Sequence, residues 1–111
     1  MTNVALLQEK EAEIKSAVEK ILRDCLKTDV VFDDIVMKME KFYFDDEVEE
    51  YLRIRVIFDG EQELLNLKTA RGLNRNLRNG LEEFGMETFP VTTFVEKSEW
   101  EESYAVRKKH A

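Results

Sequence analysis

The sequence predicts an α+β domain of two layers, with a three-stranded sheet, helices packed on one of its faces and the element order α-β-β-α-β. Three observations predict it. Apolar residues return every three or four positions between Asn3 and Leu26, and again between Leu67 and Phe84, which is the spacing of helices with one buried side. From Leu52 to Phe58 they alternate with Tyr51, Arg53, Arg55 and Ile57, the period of a strand with one buried face. The stretch PVTTFVEK, residues 90–97, has the composition of a last strand.

In the first helix, Val4, Leu7, Ile14, Val18, Ile21 and Cys25 form the stripe, Glu11 interrupts it and Leu6 points away from it. The helix is long for so small a domain, so pairing with a partner or with a second copy stands beside simple core packing as a reading of its stripe. A strand follows near Ile35 to Phe44. Ile35, Met37 and Met39 share one parity while Phe42 and Phe44 take the other, which predicts a bulge or strand end near Lys41. Asp45, Asp46 and Glu47 supply a solvated turn into the clearest strand of the chain, which Asp59 and Gly60 close.

The second helix is expected over Leu67 to Phe84, with Ala70, Leu73, Leu77, Leu81 and Phe84 on one side and Asn66 as cap. Gly72 and Gly80 each cost about 1 kcal/mol relative to Ala inside a helix, so they predict either close backbone packing or a break near Gly72. Gly85 suits the left-handed position after the helix, and Met86 covers its last turn. Pro90 belongs at the start or edge of the final strand. Residues 1–100 are expected to form one domain and residues 101–111 a flexible tail, with Tyr104 and Val106 as its only anchors.

This order over residues 4–97, with LRNGLEEFGMETFPVTTFVEK as helix, turn, proline and final strand, resembles the layout of the type II KH domain and of ribosome-binding factor A. The resemblance implies an RNA-associated role. The Gly-x-x-Gly loop by which KH domains clamp nucleic acid is missing, because RGLNRNLRNG separates its glycines by eight positions.

Composition narrows the classes of function. The 111 residues suffice for one core, and a formal charge of −7 with pI near 4.8 disfavours a broad phosphate-binding surface while leaving room for a local basic patch. Cys25 is the only cysteine and His110 the only histidine, which excludes a disulfide framework, a zinc site of sulfur and nitrogen ligands, and an imidazole base in the core. Cys25 ends a helix, where the dipole disfavours its thiolate, and reads as a structural thiol. The opening MTNVALLQEKEAEIK lacks the pattern of a secretory signal and no run is apolar enough to span a bilayer, so the expectation is a cytoplasmic chain without membrane contact.

No catalytic or cofactor signature stands out. Asp45, Asp46 and Glu49 lack calcium-loop spacing and read as a solvated connection. The candidate interaction surface has two parts. Lys68, Arg71, Arg75 and Arg78 form a basic arc opposite Leu73, Leu77 and Leu81 if the second helix is continuous. Arg53 and Arg55 share one face of the clearest strand with Tyr51 and Ile57, and Trp100 could close over its end. These features favour a noncatalytic protein-interaction or regulatory domain whose partner is another protein or a second copy. An RNA-associated factor using the basic arc is the alternative, and a carboxylate-dependent hydrolase with no identified pair of acids is the third reading.

Overall fold

The structure is a computed structural model that describes residues 2–26, 30–60 and 72–101. Helix α1 spans Asn3–Leu26, strands β1 and β2 span Val31–Phe44 and Glu47–Asp59, helix α2 spans Leu73–Glu82, and strand β3 spans Phe89–Glu96. Residues 97–101 are helical. The sheet order is β1-β2-β3, with β1 antiparallel and β3 parallel to the central β2. The predicted α-β-β-α-β order and the α+β class are both present. Among the described residues, no helix is long and apolar enough to cross a membrane.

Strand β2 forms because its alternation offers one continuous apolar face. Leu52, Ile54, Val56 and Phe58 are fully buried, in one cluster with Ile35 and Met37 of β1, with Leu7, Ile14, Val18, Leu22 and Leu26 of α1, and with Leu73, Leu77 and Leu81 of α2. At roughly 1.5–3 kcal/mol for each large side chain removed from water, this cluster is the dominant favourable term in folding. Helices α1 and α2 therefore lie on the same side of the sheet.

Helix α1 begins where Thr2 accepts the Ala5 amide at 3.1 Å through its hydroxyl, satisfying a donor of the first turn. Its predicted stripe needs correction. Val4 is exposed, Leu6 packs partly against the core, and Val18 is followed as fully buried positions by Leu22 and Leu26, which the stripe did not include. Ile21 and Cys25 flank them along α2. The backbone leaves helical angles at Lys10, with φ −117° and ψ 25°. That kink falls in the QEKEAE stretch, residues 8–13, where every side chain is exposed and no core contact holds the helix straight.

The bulge also lies elsewhere than expected. Register slips between Phe32 and Asp34, whereas pairing from Asp34 to Phe44 is unbroken through Lys41. Phe42 and Phe44 change parity relative to Ile35 simply because they occupy the other face of an uninterrupted strand. Asp45, with φ 53°, takes the left-handed position of the two-residue turn at Asp45–Asp46, a conformation aspartate tolerates better than most residues.

Of the two alternatives for Gly72, the break is the one present, and α2 begins at Leu73. Gly72 has φ 79° and precedes Leu73 as the helix boundary, while the expected cap Asn66 lies outside the described residues. The other end closes as predicted. Met86 and Gly85 donate their amides to Leu81 and Glu82 at 3.1 and 2.9 Å, the paired bonds of a Schellman motif, and Met86 is buried over the last turn.

Gly80 marks where the helices touch, because a Cβ there would lie 2.6 Å from Cδ1 of Ile21. We expect Gly80→Val to lower the unfolding free energy by about 1–3 kcal/mol in urea denaturation. Ile21→Ala in the same chain should cost less than the sum of the two single changes, since it clears the clash. Strict additivity would show that the helices do not meet there.

Candidate functional site

Pairing assigns side chains to the sheet face that α1 and α2 leave uncovered. Directly opposed residues share a face, so Val36, Lys38, Glu40, Phe42 and Phe44 of β1 lie beside Arg55, Arg53, Tyr51, Glu49 and Glu47 of β2. The parallel register adds Phe89, Val91, Thr93 and Val95 of β3 next to Tyr51, Arg53, Arg55 and Ile57.

The centre of this face is a charged network. Lys38 and Arg53 are directly opposed like charges, an arrangement that needs a counterion. Glu40 supplies it, accepting the Tyr51 hydroxyl at 2.9 Å and pairing with the Arg53 guanidinium at 3.4 Å. The Tyr51 bond, followed by Arg53, holds the Glu40 carboxyl below the ordinary carboxylate range, and the same bond pushes the Tyr51 phenol up. Arg55 lies 6.0 Å from the ring centroid of Trp100, which the helix starting at residue 97 carries to this side of the sheet. Lys97 of that helix pairs with Asp33 at the bulge, 3.4 Å apart, and Asp33 raises the Lys97 pKa. The face is thus partly closed at the Trp100 end, where Ile57 is buried.

At the opposite end the sheet outruns the helices. Every residue from Lys41 to Glu50 is exposed, so this part of the hairpin projects as an arm. Its aromatic side chains stand in water: Phe42 is 43% exposed, Tyr43 75% and Phe44 67%, and Phe89 at the start of β3 is 55% exposed. Phe42 and Tyr51 stack obliquely with centroids 5.8 Å apart. With Glu49, Glu50, Phe89 and Val91 they line a mainly apolar groove of about 510 Å³.

Phe89 is also the rim between this groove and the surface of α2. Beyond it lies a cleft of about 430 Å³ lined by Arg75, Arg78 and Glu82, and a smaller one in which Arg78 faces Glu50, Glu82 and Glu87. The two arginines therefore share their surroundings with carboxylates. Lys68 and Arg71, the other half of the expected basic arc, lie outside the described residues, and the break at Gly72 removes the uninterrupted helix on which the arc was drawn.

The structure thus brings Tyr51, Arg53, Arg55 and Trp100 onto one face and leaves Arg75 and Arg78 on another. Glu40, Phe42, Phe44, Phe89 and Val91 belong to the candidate surface and were absent from the sequence-derived set. Their signal was visible in the opposite parity of Phe42 and Phe44, which marks two aromatics on the uncovered face.

Among the described residues, no three His, Cys, Asp or Glu side chains converge to hold a metal. Cys25 is half-buried, and its sulfur accepts the Asn76 amide at 3.2 Å. Asp34 is held below the ordinary carboxylate range chiefly by its hydrogen bond from Lys15, an exposed ion pair that ties β1 to α1.

Glu40 should titrate below the ordinary range in carboxyl NMR, and Tyr51→Phe should move it upward. Because its folded pKa is depressed, the stability it contributes is complete above its unfolded pKa and is lost as pH falls through the folded value. Glu40→Gln should therefore destabilise the domain near neutral pH, and the gap from the unaltered chain should close on acidification from about pH 6 to about pH 3. A gap independent of pH would remove the Glu40 carboxylate from the network.

No protein-family model matches the chain, and no curated protein matches it significantly.

Proposed function

We propose that this chain is a noncatalytic protein-binding domain whose partner lies against the uncovered sheet face and the projecting hairpin arm. The observation that carries the reading is the clustering of Phe42, Phe44, Phe89 and Val91, all exposed, around the Phe42–Tyr51 pair. Contiguous exposed aromatic surface rimmed by charge is costly in water and marks interaction sites more often than scattered apolar residues do. Tyr51, Arg53, Arg55 and Trp100 extend the same face with residue types that dominate binding energy when desolvated.

An RNA-binding reading receives less support. Arg53 is engaged by Glu40, Arg55 lies over Trp100, and Arg75 and Arg78 border carboxylates that would repel phosphate. The overall charge of −7 acts in the same direction.

The test is affinity capture from source cells with the full chain and with a Phe42→Ser, Phe89→Ser variant, with proteins and nucleic acids quantified separately. Both side chains are exposed, so the variant should remain folded and lose about 0.5 kcal/mol or less of stability. We expect a discrete protein partner to be retained by the unaltered chain and reduced at least tenfold by the variant, with no dependence on nuclease treatment. Equal retention, or loss of the captured material after nuclease, would overturn the reading.

A further inference from the structure

The strands end out of step on one side of β2. Strand β3 joins the sheet at Phe89, opposite Tyr51, whereas β2 starts earlier, at Glu47. On its other edge β2 is fully paired there, with Glu47, Val48, Glu49 and Glu50 opposite Phe44, Tyr43, Phe42 and Lys41. Alternate residues of Glu47–Glu50 therefore direct backbone N–H and C=O groups into a notch in line with β3, where the described residues provide no partner strand. The groove lined by Phe42, Tyr51, Phe89 and Val91 lies at this notch.

We propose that the notch accepts a short extended segment of another protein as an added strand beside Glu47–Glu50, with Arg or Lys on the uncovered face and an apolar residue on the other. This specifies the partner chemistry of the protein-binding reading above and rests on it. A strand laid there continues the line of β3 and would pair about four residues, or about 13 Å of β2. Its side chains next to Glu47 and Glu49 meet two carboxylates, and a long cationic side chain in that position runs along the rings of Phe42, Tyr51 and Phe89. Arginine fits both demands, offering a planar face to the rings and a fork to a carboxylate. On the opposite side of the arm the neighbours are Val48, with Tyr43 across from it, and Glu50; Val48 and Tyr43 are exposed and apolar enough to receive an aliphatic residue.

Charge selects among occupants. Positions 41–50 hold Asp45, Asp46, Glu47, Glu49 and Glu50 against Lys41 alone. Two such arms facing one another would set like charges together, and a polyanion would be repelled, whereas a basic segment is attracted.

The test titrates the ¹⁵N-labelled full chain with short synthetic peptides of equal length. One alternates arginine with valine, one glutamate with valine and one serine with valine, and a fourth is the arginine peptide N-methylated at alternate residues to block strand pairing. We expect the arginine peptide alone to shift the amides of Glu47–Glu50 and Phe89 and to slow hydrogen exchange at the alternate residues of Glu47–Glu50 that face the notch, with binding that weakens as salt rises. Glu49→Lys and Phe42→Ser should each weaken it at least tenfold. Equal binding by the glutamate or N-methylated peptide, or shifts confined to residues remote from the arm, would overturn the proposal. A concentration-dependent dimer that protects the Glu47–Glu50 amides would also overturn it, by assigning the notch to a second copy. Cellular capture that depends on Phe42 but not on Glu49 would overturn strand addition while leaving the broader binding reading intact.

Discussion

Everything in this molecule depends on the apolar face of β2. Leu52, Ile54, Val56 and Phe58 lose all contact with water, and each neighbouring element is placed by how it covers them. Strand β1 contributes Phe32, Ile35 and Met37 to the same cluster, and α1 and α2 close it from above with side chains at helical spacing. The helices then have to approach one another over the sheet, and the absence of a side chain at Gly80 lets Ile21 come close to the α2 backbone. No buried polar or charged residue enters the described core, so its specificity comes from shape and pattern.

One consequence is a division of labour between the two faces of the sheet. Apolar residues of one parity satisfy the helices, while the other parity holds a charged centre built on Glu40, Tyr51 and Arg53. The like-charged Lys38 and Arg53 sit across from each other on the same face, and the diagonal pairing with Glu40 offsets that repulsion. Trp100 and Lys97 return the chain to the uncovered side, placing a ring near Arg55 and an ammonium near Asp33.

A second consequence follows from length. The hairpin of β1 and β2 runs past the start of β3, so among the described residues its end from Lys41 to Glu50 is strand-paired only within the hairpin. Exposed aromatics at that end are uncommon for a surface in water, and acidic neighbours keep the arm hydrated and discourage it from pairing with itself. The same mismatch in strand length opens the backbone notch beside Phe89. The exposed aromatics and the open strand edge are therefore products of where elements stop.

Much of the fold was legible because burial and periodicity are local properties. The bounds of α1, the strand at Leu52–Phe58, the turn at Asp45–Asp46 and the closure by Gly85 and Met86 are each written into a few adjacent residues. The bulge was misplaced from Lys41 because a change of apolar parity looks the same whether a strand is kinked or both its faces carry hydrophobic side chains; only the pairing distinguishes them, and it puts the slip at Asp33. Likewise, helical spacing runs across Gly72 and leaves open whether the backbone packs closely or breaks there; the left-handed angles of Gly72 decide for the break, and α2 begins at Leu73. The sequence by itself determined the five elements from α1 to β3, their order and the parity of the strand side chains, since these follow from contacts between residues a few positions apart. Tertiary structure alone decided that Glu40 meets Tyr51 and Arg53, that Trp100 lies near Arg55 and that β3 starts short of the arm, because these depend on registers between segments distant in the chain.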